Sequence, residues 1–310
     1  MKRLLMGILV LTLAAHLSAQ TTIALPDVQQ PHQIAVEGND LYVFDEADYS
    51  LHIYTISPFA PKLKFGRKGD GPHDFKYLPY VYIQPETLGC TDFIKILWFS
   101  KKGEVLKAME FSELKDFDPN SEMLLVPVKE HYVRILADHA QHKRSIFLLD
   151  SGFKTVKKLY EGPFIWEAGD YIEARTDTLS YRGLIFIANT LKGFHFTIFD
   201  DKGKIFRTID KSKEVGEIPG HLQLHQYCVS DDKIYATTYR KKDGQTEMIV
   251  LDLQGRILRT LYLPLSSIRP NRGILRYDPF TVSGEKLYEL IQSGGMGTWE
   301  LRITDLASAR

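Results

Sequence analysis

The nine residues Asp200-Asp201-Lys202-Gly203-Lys204-Ile205-Phe206-Arg207-Thr208 return 52 positions later as Asp252-Leu253-Gln254-Gly255-Arg256-Ile257-Leu258-Arg259-Thr260. Weaker copies stand at Lys101-Lys102-Gly103-Glu104-Val105-Leu106-Lys107 and at Asp150-Ser151-Gly152-Phe153-Lys154, so glycines 103, 152, 203 and 255 follow one another at 49, 51 and 52 residues. Self-similarity at this interval restricts the chain to architectures made of one small unit copied side by side. Each glycine lies between an apolar, β-rich run (94–99, 146–149, 194–199, 248–251) and a second run in which apolar and basic residues alternate. That is the pattern of a hairpin closed by a glycine-containing turn. One interval upstream, residues 57–61 put prolines where the glycine would be; one interval downstream, residues 305–308 reach the end of the chain. Six units result.

A second pair of short strands precedes each hairpin, as at 33–36 with 41–44, 123–128 with 132–137, 227–229 with 233–238 and 281–282 with 286–290. Four strands in about 50 residues make a propeller blade. The expected fold class is therefore all-β: a six-bladed β-propeller with four antiparallel strands per blade. Its second unit, residues 79–111, is short and its inner strands are poorly defined. The sixth unit stops after 299–304 and lacks an outermost strand. Thr21-Thr22-Ile23-Ala24-Leu25-Pro26 resembles Arg259-Thr260-Leu261-Tyr262-Leu263-Pro264, the outer strand of the fifth unit, so the N-terminal strand is expected to close the last blade and remove an exposed sheet edge. A two-sheet sandwich predicts neither the interval nor the matched ends.

The first 19 residues stand outside this scheme. Lys2 and Arg3 precede an apolar run at 4–15, and Leu17-Ser18-Ala19 offers a small residue for cleavage, the pattern of a secretory signal peptide. The run is too short for a membrane span of about 20 residues. Residues 20–310 are expected to form a single propeller domain, exported to the periplasm or beyond, monomeric and without a transmembrane segment. The whole chain carries 39 basic and 39 acidic residues, a balance that excludes long-range disorder and a dominant nucleic-acid-binding surface. Cys90 and Cys228 fall in the second and fifth units, opposite one another across the hub. A disulfide needs Cα atoms within about 7 Å, so the two are expected not to pair.

At Phe65-Gly66-Arg67-Lys68-Gly69-Asp70-Gly71-Pro72-His73-Asp74-Phe75-Lys76-Tyr77-Leu78-Pro79 a glycine-rich stretch leads to Phe and then Pro. It resembles the inter-blade linker of NHL-type six-bladed propellers, in the version found in exported bacterial propellers of unassigned function. Only this linker carries the motif, while the six-unit layout covers the whole mature chain. The resemblance implies a propeller fold and a binding role. NHL-like propellers include peptide and RNA binders as well as lyases and lactonases, so the fold does not fix the activity.

Alternate loops of a propeller lie on opposite faces of the disc. The links between blades and the loops between second and third strands collect on one face, here called upper, which gathers 67–75, 138–144, 193–195, 221–225, 240–244, 269–276 and 294–297. The expected ligand-binding residues are Arg67, Lys68, Asp70, His73, Tyr77, Tyr80, Arg240 and Lys242. Basic residues 67, 68, 143, 144, 240, 241, 242, 269, 272 and 276 would steer an anionic partner, although Asp70, Asp74, Asp138 and Asp243 sit among them. Tyr77, Tyr80 and Tyr82 would stack on a peptide or sugar, against a competing role in core packing. The stretch 66–71 would present N–H groups to an anion, but it does not run from a strand into a helix as a phosphate loop does. Its glycines are the ordinary means to positive φ in a linker.

His139, His142, His221 and His225 are weak metal candidates, since their spacing is looser than in structural metal sites. Propeller lyases and lactonases place a metal at the channel with ligands from several blades, and no blade-to-blade set of Glu, Asn, Asp or His is present here. No nucleophile elbow is present either. The sequence therefore points to a binding or scaffold protein for a protein, peptide or carbohydrate partner, with no catalytic residues, no cofactor and no nucleic acid; the alternative is a metal-dependent lyase or lactone hydrolase at the central channel.

Overall fold

A computed structural model describes residues 20–114, 122–138, 140–163, 176–265, 279–293 and 298–309, and its strands form six antiparallel sheets of four. The first strand is β1, Gln20–Leu25. Blade one then runs outward as β2 Pro31–Glu37, β3 Asp40–Asp45, β4 Ser50–Thr55 and β5 Ala60–Phe65. Blade two is β6 Tyr80–Ile83, β7 Thr87–Thr91, β8 Lys95–Ser100 and β9 Val105–Glu110. Blade three is β10 Glu122–Val128, β11 His131–Asp138, β12 Lys143–Leu149 and β13 Thr155–Pro163. Blade four is β14 Thr176–Tyr181, β15 Leu184–Asn189, β16 His195–Phe199 and β17 Ile205–Asp210. Blade five is β18 Gln226–Ser230, β19 Lys233–Lys242, β20 Gln245–Asp252 and β21 Ile257–Leu263. Blade six is β22 Phe280–Ser283, β23 Lys286–Ser293 and β24 Thr298–Asp305, completed on its outer edge by β1. β1 pairs with β24 from Gln20↔Thr304 to Leu25↔Trp299, as the matched ends predict. The inner strands meet around the hub, β22 with β2, β2 with β6, β10 with β14, β14 with β18 and β18 with β22.

Side chains of a strand point alternately to its two faces, and in a propeller both faces are covered by neighbouring blades. β10 shows the consequence. Met123 and Leu125 pack with Ile96, Trp98 and Met109 of blade two, whereas Leu124, Val126 and Val128 share a core with Ile185, Ile187 and Phe199 of blade four. Leu25 of β1 is fully buried between blades six and one, beside Trp299, Leu301 and Leu41. Polar clamps join the inner strands: Gln33 Nε2 donates to Val81 O at 2.6 Å while Val81 N donates back to Gln33 Oε1 at 2.9 Å. Ser180 Oγ donates to Pro127 O at 3.0 Å.

The repeated turn has a specific construction. Ser100, Asp150, Asp200 and Asp252 each accept, through one side-chain oxygen, the N–H groups two and four residues on. The third residue after each goes left-handed: Gly103 (φ +83°), Phe153 (+61°), Gly203 (+72°) and Gly255 (+84°). The repeat is thus read correctly through Phe153 rather than Gly152, and the intervals become 50, 50 and 52 residues. A turn of this kind forces a bulge in the strand that follows, and the register shifts between Trp98/Phe99, Leu148/Leu149, Ile198/Phe199 and Val250/Leu251 are that bulge, at one equivalent place in four blades. The residues it leaves unpaired, Leu106, Val156, Phe206 and Leu258, are all exposed. In blade six no turn joins β24 to β1, and their ladder has no shift.

Cys90 in blade two and Cys228 in blade five form no disulfide with one another, and burial pushes the Cys90 thiol well above its ordinary pKa.

Candidate functional site

The two faces of the disc use charge differently. On the lower face ion pairs tie blade to blade: Lys101 to Glu37 at 2.5 Å, Lys129 to Asp201 at 2.9 Å, Arg182 to Asp232 at 3.4 Å, and Lys233 to Glu285. These contacts are structural. On the upper face, the link between blades one and two is stitched to itself and to blade two. Arg67 Nε sits 2.6 Å from Asp74 Oδ1, and this hydrogen bond holds the Asp74 carboxyl below the usual range. Phe75 N donates to Arg67 O at 2.9 Å, and the Phe75 ring is buried. Lys95 Nζ reaches up to the carbonyls of Gly71 (3.1 Å) and Pro72 (3.4 Å). Asp92, fully buried, accepts from Lys76 N at 3.3 Å and from Ile94 N and Lys95 N at 2.9 Å each. Burial raises its pKa against those N–H groups.

This stitching decides between the readings of the glycine stretch. The N–H groups of Lys68, Gly69 and Gly71 already donate to Asp48 O, Phe75 O and Asp74 Oδ2, at 2.8, 3.0 and 3.3 Å, so they form no open cradle for an anion. Only Gly66 of the stretch takes positive φ (+85°). Gly69 and Gly71 are small for another reason: a Cβ there would lie 2.5 and 2.7 Å from Asp74 Oδ2.

Of the eight expected ligand-binding residues, the structure leaves Arg67, Lys68, Asp70, His73, Tyr77 and Lys242 with exposed side chains. Tyr77 is 42% exposed, its ring 5.9 Å from that of Phe93. Lys68 Nζ lies over the Tyr49 ring at 5.1 Å and Lys242 Nζ over Tyr262 at 5.4 Å. Tyr80, Arg67 and Arg240 also have contacts within the protein. Tyr80 is buried in the core around blade three and does not face a ligand. Arg67 pairs with Asp74 while its side chain stays exposed, as Asp70 does with Lys76 at 3.7 Å. Arg240 is held by Glu247 through Nη1 at 3.1 Å and by the Val215 carbonyl through Nη2, and Glu247 also accepts from Thr238 Oγ1 at 2.8 Å and Tyr262 Oη at 3.3 Å. The expected basic face is correspondingly weaker: Arg144 is 2% exposed and Lys143 pairs with Glu161 at 2.9 Å. Residues 269, 272 and 276 lie outside the described residues.

The histidine candidates do not converge on a metal. His221 and His225 flank the Tyr239 ring at centroid distances of 4.9 and 4.2 Å; neither joins a set of three possible ligand atoms among the described residues, and nor does His142. His139 lies outside the described residues. The set that does come together is Asp45, Asp48 and His52, all in blade one. Asp45 accepts from the N–H groups of Gln29 (2.7 Å), Gln30 (2.8 Å) and Ala47 (3.0 Å), and Asp48 from Ser50 Oγ at 2.5 Å and Lys64 at 2.9 Å. These carboxylates close the β3–β4 loop, and three ligands from one blade do not make a site spread around the channel. Sequence reasoning missed Asp45, His52, Asp92 and Lys95. Their signal was a charged or imidazole side chain at the edge of an apolar run, as at Asp45 and Asp92, or inside one, as at His52 and Lys95, which is unusual for a buried strand.

No protein-family model matches the chain, and no curated protein does, so the NHL resemblance rests on the linker residues alone. Solved structures do match, at identities that show the fold only. A member of the DUF4221 family from Bacteroides vulgatus aligns over 93% of this chain and 96% of its own with a TM-score of 0.58 and 12% identity. A protein of Bacteroides fragilis named as exported aligns over 94% and 95%, with a TM-score of 0.57 and 12% identity. A luciferin-regenerating enzyme aligns over 94% and 97%, with a TM-score of 0.55 and 11% identity. Among the described residues, no helix is long and apolar enough to cross a membrane.

Proposed function

We propose that the chain is an exported binding protein, one propeller from residue 20 onward and monomeric, that recognises a protein, peptide or carbohydrate partner on its upper face at the junction of blades one and two. The observation that carries this reading is the stitched linker. Arg67–Asp74, Lys95, Asp92 and the buried Phe75 fix the backbone of 66–79, while Lys68, Asp70, His73 and Tyr77 point to solvent. A rigid loop that displays cationic, polar and aromatic groups meets the needs of recognition, because little side-chain or backbone entropy is lost on binding. Export is supported by the leader-like residues 1–19.

The test is a peptide and glycan array probed with the wild-type protein and with the double variant Lys68→Glu, Tyr77→Ala, with the lower-face variant Arg182→Glu as control. Hits lost by the double variant and kept by the control are expected. Hits kept by the double variant would refute the upper-face assignment.

A further inference from the structure

Blade three departs from the repeat at one place. Besides the bulge shared with the other blades, its outer pair shifts again between Ile146/Phe147, where Ile146 faces Tyr160 and Phe147 faces Lys158. Leu159 is skipped, and β13 is nine residues long against the six of β9 and β17. Blade four departs at the facing position, where a helical turn, Thr190–Lys192, is inserted between β15 and β16. Bulges gather where a sheet must open or re-aim side chains. Between these two departures lies a cleft of about 290 Å³.

Its lining has three parts. Leu159, Ile187 and Phe199 make an apolar floor continuous with the core between the two blades. Lys157, Lys158 and Lys192 bring cationic side chains to the walls. Lys158 is committed to Glu161 at 2.6 Å and Lys157 Nζ donates to Gly203 O at 2.7 Å, whereas Lys192 makes no ion pair with any described residue. Asn189 and His195 complete the lining. Asn189 is 6% exposed; its Nδ2 donates to Tyr160 Oη at 3.5 Å, and its Oδ1 has no hydrogen-bond partner. His195 Nδ1 is buried and without a hydrogen-bond partner as well. Burial, with the Lys192 ammonium second, holds the His195 imidazole below its ordinary pKa against the opposing Asp210 carboxylate, and the neutral ring accepts at Nδ1 when its proton sits on Nε2.

Buried polar atoms without partners are costly unless a ligand or water completes them. Two acceptors that need donors, an ammonium that needs an anion, and an apolar floor together define one ligand chemistry. We propose that this cleft binds a small hydroxylated carboxylate of the size of one sugar ring, a uronate, with its carboxylate at Lys192, its hydroxyls donating to Asn189 Oδ1 and His195 Nδ1, and its ring face on Phe199 and Leu159. A volume at the lower edge of the roughly 300–1,000 Å³ usual for ligand sites fits one ring and excludes an oligomer as the buried part. The site is distinct from the linker of blades one and two and stands or falls without it.

The test is saturation-transfer NMR followed by calorimetric titration, with D-glucuronate as probe and D-glucose and inorganic sulfate as comparators. Glucuronate is expected to give saturable binding that exceeds both comparators. Lys192→Glu should weaken it by roughly tenfold or more, the equivalent of one charge-assisted contact, and Thr197→Phe, which fills the cleft from β16, should abolish it. Lys68→Glu should leave it unchanged. Lys192 is exposed, so its variant is expected to fold, and a melting curve confirms this for each protein. Three results would overturn the proposal: no saturable glucuronate signal, equal binding of sulfate or glucose, or glucuronate binding that survives both cleft variants.

Discussion

Gln33→Met isolates the polar part of blade closure. Gln33 lies on the innermost strand of blade one, 6% exposed, and its amide answers both the N–H and the C=O of Val81 in blade two, at 2.9 and 2.6 Å. Val81 sits opposite Cys90 on β7, and its own polar groups face away from that strand toward blade one. Methionine keeps the length and most of the volume of the side chain, so little cavity forms. What remains is a buried donor and a buried acceptor without partners, at about 1–3 kcal/mol each. Water entering from the hub lowers the sum, which we place at about 2–4 kcal/mol. For a chain of this size each kcal/mol moves the midpoint by roughly 1.6 °C, so thermal unfolding followed by circular dichroism should show a drop of about 3–6 °C. A variant within about 1 °C of wild type would refute the reasoning and leave closure of these two blades to apolar packing alone.

Phe153 holds the left-handed position that glycine holds in three sister turns, while its ring stacks on Tyr132 at 4.6 Å. Both Phe153→Ala and Phe153→Gly lose that contact, but only glycine relieves the backbone, so urea titration should find the glycine variant more stable than the alanine variant by about 1 kcal/mol, the reverse of their usual order. Leu25→Ala should cost about 2–5 kcal/mol and lower the midpoint of the whole propeller in a single transition, because β1 is an integral strand of blade six; a separate early transition would show that β1 merely frays. His52 is held below the ordinary imidazole value by burial, with the Lys64 ammonium adding to the effect. The unfolded chain therefore takes up its proton first. The stabilisation is complete above the unfolded value of about 6.5 and is lost as pH falls below it, at no more than about 1.4 kcal/mol per pH unit. His52→Gln should flatten the stability profile between pH 5 and 6.5, and an unchanged slope would count against this assignment. Asp92, raised by burial, has the opposite sign, so the comparison is between variant and wild type. Intact mass of the protein recovered from an exporting host should correspond to a chain starting at Gln20; a retained leader would contradict export.

What the sequence made legible was whatever is copied. The capping residue, the left-handed residue three positions on and the alternation after it occur often enough for the blade to be read from one instance and checked on the next. Even the mistaken turn in blade three was a matter of one position, because Ser151-Gly152 offered a glycine where the backbone uses Phe153 for the left-handed conformation. The exposed face was legible at Lys68, Asp70, His73 and Tyr77 because linkers run on the surface. The intramolecular partners of Arg67 and Arg240 were not legible. Their partners, Asp74 and Glu247, lie seven residues away, one within a linker folded back on itself and the other across the β19–β20 hairpin, so neither pair follows the period of a single element. Tyr80 takes the core-packing role that stood as its competing reading, because a tyrosine on an innermost strand faces either the channel or the next blade according to a twist that alternation does not reveal.

The cleft between blades three and four was invisible for a deeper reason. It is built from an extra bulge at Leu159 and an inserted turn at Thr190–Lys192, neither of which changes the interval by more than a residue or two. A repeat detected by its regularity absorbs such departures as noise. Buried polar atoms without partners also occur inside regular strands, at Thr178 and Tyr235; what sets Asn189 and His195 apart is that both line one cleft. Asn189 and His195 are ordinary strand-end residues by sequence, and they become candidates because both line the cleft beside the skipped Leu159. If Thr197→Phe proves as stable as wild type, the space it fills was not needed by the fold. If it is markedly destabilised, the cleft is a packing feature of the two blades, and the polar atoms in it belong to the core.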